Sequence, residues 1–233
     1  MNNAFSRFLC LIAVLATAQF QVASAQGATQ TYRFQLGNVK VDNPRSPRSD
    51  TNTFSIAAVL LDSSGNPVGP PATDTWKPGF DMQKNGNYPM GSHHADVQAS
   101  SGQSIKVTLS AINAGSNIGG ALGTFTNFVA QVDQQAATIY FDSPEMGQLA
   151  NISDHTASSI LPIGWFGGCG GVVILATVTF KADDLSSKTY LHPTWWHQTQ
   201  AGSDSPSGCG SNSSYTFDMR AYNQTLTEAQ SGH

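Results

Sequence analysis

Apolar residues recur at every second position in at least six separate segments of this chain, and no other feature constrains its fold as much. A period of two belongs to strands with one face buried and the other wet. Tyr32, Phe34 and Leu36 alternate with Arg33 and Gln35. Phe54, Ile56, Ala58 and Leu60 follow, ending at the turn-forming run Asp62-Ser63-Ser64-Gly65-Asn66-Pro67. Ile105, Val107, Leu109 and Ala111 form a third set, and Ala137, Ile139 and Phe141 a fourth. Ile174, Ala176, Val178 and Phe180 form a fifth, and Tyr215, Phe217 and Met219 a sixth. Polar outer faces on so many strands indicate antiparallel sheets. The expectation is an all-β chain, a single antiparallel β-sandwich of jelly-roll or Ig-like kind.

One segment breaks the period. Leu122, Phe125, Val129 and Val132 recur at three and four, which predicts one short helix near 121–133, packed on an end or edge of the sheets. Residues 62–103 are dense in Gly, Pro, Asn and Ser, and their periodicity is weak. A structureless loop of that length is unusual in a compact domain, so short strands are expected near Trp76–Met82 and near Ala95–Ala99. Residues 160–180 carry no charge, but five glycines and Pro162 interrupt them. A buried strand after a Gly-rich loop fits better than a membrane span.

The first residues have the three-part layout of a secretory signal. Arg7 supplies a positive charge, an apolar run extends from Phe8 to Ala18, and Ala23-Ser24-Ala25 is a small-x-small cleavage site. The run is too short for the ~20 residues that span a bilayer. Residues 1–25 are therefore expected to leave as a signal peptide, and 26–233 to form one domain, secreted or periplasmic. Cys10 would leave with the signal, so Cys169 and Cys209 remain, and an even pair in an exported chain reads as a disulfide.

Lys and Arg number 11 and Asp and Glu 15; removing Arg7 gives a net charge of 10 − 15 = −5. Arg45 and Arg48 are the densest basic pair. Nucleic acid is excluded as a partner on this balance, and an anionic membrane is a poor one.

Three stretches carry a resemblance. Arg45-Ser46-Pro47-Arg48-Ser49-Asp50-Thr51 follows the first strand, and Gly168-Cys169-Gly170-Gly171-Val172-Val173 precedes a long one. Asp204-Ser205-Pro206-Ser207-Gly208-Cys209-Gly210-Ser211-Asn212-Ser213 precedes the last. Together they resemble an uncharacterised family of secreted microbial all-β proteins. Members of that family tend to read C-D-G-P-V at the first cysteine, where this chain has Cys169-Gly170-Gly171-Val172 and lacks the acid and the proline. The resemblance implies an all-β domain with the two cysteines paired. It implies no activity, substrate or catalytic residue.

The strongest candidate site is Tyr190-Leu191-His192-Pro193-Thr194-Trp195-Trp196-His197, between the two cysteines. Aromatic faces stack on sugar rings, and adjacent residues of an extended segment point opposite ways, so one of Trp195 and Trp196 should be exposed. Tyr190, His192, Trp195, Trp196 and His197 are the expected ligand-binding residues, for a glycan or a protein. The competing reading has one Trp plugging the core and the other covering a loop.

His93 and His94 with Asp96, or His192 with His197, have the donor types of a metal site but not its usual spacing. Asp42, Asp50, Asp62 and Asp142 would need to converge to hold calcium, and solvated turn aspartates are the simpler account. No metal and no cofactor is expected. No H-E-x-x-H, G-x-S-x-G, C-x-x-C or phosphate loop is written here. Glu145 and Glu228 are the only glutamates, so a two-Glu glycosidase would need those two to meet. The sequons at Asn151, Asn212 and Asn223 are about what chance supplies in a chain rich in Ser and Thr. A secreted non-catalytic binding protein is the expected function. The alternatives are a secreted hydrolase with loop-borne Asp and His residues and a membrane-active β protein.

Overall fold

A computed structural model describes residues 28–114, 119–131, 169–202, 207–209 and 212–226. The expected signal peptide, the strand around Ala137–Phe141, Val132, Asp142, Glu145, Glu228 and the sequon at Asn151 lie outside the described residues.

Among the described residues the fold is all-β, with antiparallel strands in a five-stranded sheet, a four-stranded sheet and a two-stranded ribbon. The strands in chain order are β1 (Gln30–Asn43), β2 (Ser49–Asp50), β3 (Asn52–Leu61), β4 (Pro67–Trp76), β5 (Met82–Gln83) and β6 (Asn87–Pro89). They continue as β7 (His94–Ala99), β8 (Ser104–Asn113), β9 (Gly171–Lys181), β10 (Thr194–Ala201) and β11 (Ser214–Asn223). Helix α1 spans Gly119–Gln131 and helix α2 spans Ala182–Leu185. The first sheet runs β10-β11-β1, with β6 and β7 both pairing the far side of β1; the second runs β4-β3-β8-β9, and β2 pairs β5.

The alternating residues fill the space between the sheets. Phe34, Leu36, Val39 and Val41 of β1 join Tyr215, Phe217 and Met219 of β11 in one buried cluster. Phe54, Ile56, Ile105, Val107, Leu109 and Ile174 of the second sheet belong to the same cluster. The expected sandwich is therefore the observed one. The expected helix is α1, but it lies across the outer face of the second sheet, against β4, β3 and β8, and not at an end or edge; buried Leu122 and Thr126 contribute to its packing. Thr126 Oγ1 donates to Leu122 O at 2.8 Å and shares a 2.5 Å hydrogen bond with Ser110 of β8. That contact explains why both sides of β3 and β8 are buried. Among the described residues no helix is long and apolar enough to cross a membrane.

One expected strand is corrected. No strand covers Trp76–Met82: β4 ends at Trp76, and pairing resumes at Met82. Pro78, which has no N–H, and Gly79 interrupt the ladder there. The expected strand near Ala95–Ala99 is β7. β9 is the buried strand expected in the charge-free stretch.

Cys169 and Cys209 are disulfide-bonded, with Cα atoms 5.2 Å apart. The bridge lies where β9 leaves one sheet and the chain approaches β11 of the other. A buried carboxylate organises this end. Asp50, fully buried, accepts from Arg45 N and Ser46 N, both at 2.7 Å, Asn113 Nδ2 at 2.9 Å and Tyr215 Oη at 2.6 Å. Arg45 Nε donates to Cys169 O at 3.1 Å and Gly170 O at 2.9 Å. Gly171, at φ +152°, leaves room for that guanidinium: a Cβ there would come within 2.5 Å of Arg45 Cζ. The first two resembling stretches thus meet in one buried polar network, and the disulfide ties Cys209 of the third to it.

Candidate functional site

The aromatic segment is part turn and part strand: Tyr190, Leu191, His192 and Pro193 precede β10, and Thr194, Trp195, Trp196 and His197 begin it. β10 pairs β11 residue by residue, with Trp195 opposite Arg220, Trp196 opposite Met219 and His197 opposite Asp218. Since β11 buries Tyr215, Phe217, Met219 and Ala221, its Thr216, Asp218 and Arg220 face outward. Trp195 and His197 therefore share the outer face with them, while Trp196 turns toward the core.

Trp196 is half-buried and meets the Phe217 ring edge-on, centroids 4.9 Å apart. Trp195 is 57% exposed. A Cβ placed on Gly37 would lie 3.6 Å from Trp195 Cζ3. Gly37 belongs to β1, which is two strand spacings, roughly 10 Å, from β10. An indole standing upright on β10 would not reach it, so the ring leans across β11 and lies along the sheet. Gly37 sits where the β1–β11 register shifts between Leu36 and Val39. This β-bulge places a residue without a side chain beneath the ring.

The neighbours of Trp195 are polar. Arg220 lies opposite it on β11 and Gln35 lies opposite Arg220 on β1. The Arg220 guanidinium sits 4.4 Å from the Tyr190 ring centroid, and Tyr190 meets Tyr222 edge-on at 5.6 Å. On the other side, a Cβ on Gly91 would be 3.8 Å from Arg220 Nη2. Gln35 Nε2 donates to Gly91 O, and Tyr222 Oη donates to Gln35 Oε1 at 3.3 Å. His197 Nδ1 donates to Asp218 Oδ1; a carboxylate only accepts, which sets the imidazole tautomer. Farther along the face Arg33 grips Asp96 with two bonds, 2.8 and 2.7 Å long. Burial pushes the Tyr222 phenol up in pKa, against the pull of Arg33.

Of the five expected residues, Trp195, His197 and Tyr190 share this face. Trp196 does not: it belongs to the core edge, because consecutive strand residues alternate. His192 lies in the turn before β10, its N–H donating to Thr189 O at 3.1 Å. Arg220, Asp218 and Gly37 were not anticipated. The period of β11 assigns Asp218 and Arg220 to the wet face, but the strand that would lie beside them is not written in their own residues.

The metal candidates fall apart. His93 donates to Asp74 at 2.9 Å and stacks on Trp76 with centroids 4.0 Å apart, whereas His94 lies 3.8 Å from Asp96. Asp62 closes a turn by accepting from Ser64 N and Asn66 N, both at 2.9 Å. Those bonds hold its carboxyl below the ordinary range. Asp42 is bound by Lys40 at 2.6 Å and Thr216 at 2.7 Å, which lower it likewise. Asp50 and Asp62 flank opposite ends of β3, about 30 Å of strand apart. Among the described residues no three His, Cys, Asp or Glu side chains gather as metal ligands. The Asn223 amide is buried, donating to Gln30 Oε1 and Ser186 O, and cannot receive a glycan in the folded chain.

No protein-family model matches this chain, and no curated protein matches it. The outer face is therefore read from its own chemistry.

Proposed function

We propose that this chain is an exported, non-catalytic carbohydrate-binding protein, and that the outer face of β10, β11 and β1 is its binding surface. The observation that carries the reading is Trp195, an exposed indole that reaches across β11 toward Gly37 with polar groups around it. A pyranose presents C–H bonds on its faces and hydroxyls around its rim. A flat aromatic ring covers the faces, and side chains such as His197, Asp218 and Arg220 meet the rim. The disulfide suits an oxidising compartment. An exposed aromatic platform favours binding over hydrolysis, because His197 and its partner Asp218 stand on an open surface, the histidine side chain 65% exposed.

The test separates the two tryptophans. Trp195→Ala should weaken glycan binding by about 1–3 kcal/mol, the cost of losing a stacking aromatic, and leave the melting temperature nearly unchanged. Trp196→Ala should instead cost roughly 3 kcal/mol of stability. A glycan screen followed by titration and thermal melts of both variants checks this. A Trp195→Ala protein that melts early and binds normally would refute the surface.

A further inference from the structure

We infer that the sugar held by this face is acidic, a hexuronic acid residue whose carboxylate is received by Arg220; the inference rests on the carbohydrate-binding reading above. Every other cation close by on the face has its own carboxylate. Arg33 pairs with Asp96 at 2.7 Å and Lys40 with Asp42 at 2.6 Å, while Asp218 is taken by His197. Arg220 has none among the described residues. Its Nε is buried without a hydrogen-bond partner, and the guanidinium lies over the face of Tyr190 with the Tyr222 phenol nearby. A guanidinium is costly to leave in that state, and a cation held by an aromatic ring and a backbone wall is already oriented for an anion.

The position of Arg220 selects the kind of anion. It stands directly opposite Trp195 across the β10–β11 ladder, where paired side chains lie about 5 Å apart. A pyranose stacked on the indole lies parallel to the sheet. An equatorial carboxylate on C5 then projects in the plane of the sugar, sideways from the ring, toward the residue beside the tryptophan. A planar carboxylate matches the paired N–H groups of a guanidinium, which an ammonium would not supply with the same geometry. Gln35, fixed by Gly91 and Tyr222, closes the far side of Arg220.

The experiment titrates the oxidised protein with oligosaccharides of galacturonic, glucuronic and mannuronic acid, each beside its methyl ester and beside neutral xylo- and cello-oligosaccharides. The ester keeps the ring and removes the charge. At least one acid should bind tenfold or more tightly than its ester. Arg220→Gln should abolish the preference for that acid over its ester, lowering affinity for the acid tenfold or more and for the ester far less; Arg220→Lys should keep only part of the preference. Trp195→Ala should weaken acid and ester alike. Equal affinity for acid and ester, or binding of neutral chains alone, overturns the acidic-sugar inference and leaves the aromatic surface standing. A preference that survives in folded Arg220→Gln overturns it too. No binding by any member of the panel overturns both. The acid-to-ester comparison uses the unaltered protein, so it decides the matter even if a variant fails to fold.

Discussion

Trp195 and Trp196 differ in fate because a strand has two faces, and among the described residues β10 is an edge strand that pairs β11 alone. That division was legible from adjacency alone; which of the two rings faces out depended on the register against β11. The same scale shows what a single polar residue can organise. Asp50 receives four donors while wholly buried. The amide of Asp50→Asn would turn two N–H groups toward donors that need an acceptor, while Tyr215 and Arg45 stay buried. The expected loss is about 3–5 kcal/mol, the range for breaking a buried charged network. Urea unfolding of the variant measures it, and a loss below about 1 kcal/mol would show that water or local movement supplies the missing acceptor. The sequence could place Asp50 only after a strand and before another, where a solvated turn is the ordinary reading. Nothing local announced that Asn113 and Tyr215 would meet it.

At the scale of elements, the bulge in β1 is what lets the indole reach across β11. A Cβ on Gly37 would stand 3.3 Å from Asp218 O and 3.6 Å from the indole, so alanine is crowded and a longer side chain has no room. Gly37→Leu should lift Trp195 from the sheet. Glycan affinity should fall at least fivefold, with a shift in tryptophan emission, although no ligand contact is removed. Unchanged emission and affinity would mean that the ring does not depend on the bulge. The strands themselves were legible wherever apolar residues alternate with others along the chain, as in β1, β3, β8, β9 and β11. They were obscure where burial is partial. β4 contains Pro67, Pro70 and Pro71, which hide it from any strand pattern, yet an edge strand tolerates residues that cannot donate to a second neighbour. β10 was not among the alternating segments because its aromatics are split between a half-buried and an exposed face.

For the molecule as a whole, two devices hold the sheets together, and each has a measurable signature. The disulfide closes a separation of 40 residues between the approaches to β9 and β11, in opposite sheets. Loop-closure entropy assigns it about 4 kcal/mol. Replacing both cysteines with serine should lower the melting temperature by roughly 8–16 °C for a chain of this size. A smaller shift would mean that the Arg45–Asp50 network alone fixes this end. The second device is a set of buried phenols. Tyr32, Tyr215 and Tyr222 all have pKa values raised above the ordinary 10, burial being the largest cause in each. Tyr215 is raised most strongly, since the Asp50 charge beside it also opposes ionisation. A raised folded-state pKa contributes stability that is complete below the unfolded value and is lost as the pH climbs. Below pH 10 these phenols are protonated in both states and add no slope. Above it the unfolded chain releases protons that the folded chain keeps, so stability should fall by up to about 1.4 kcal/mol per pH unit for each such tyrosine. Urea unfolding at pH 8, 9.5 and 11 tests the sign and the window. Tyr215→Phe should be less stable at pH 8, where Asp50 loses a donor, yet decline less steeply above pH 10. Parallel declines for the two proteins would show that Tyr215 ionises as readily folded as unfolded, and that the polar network is open to water.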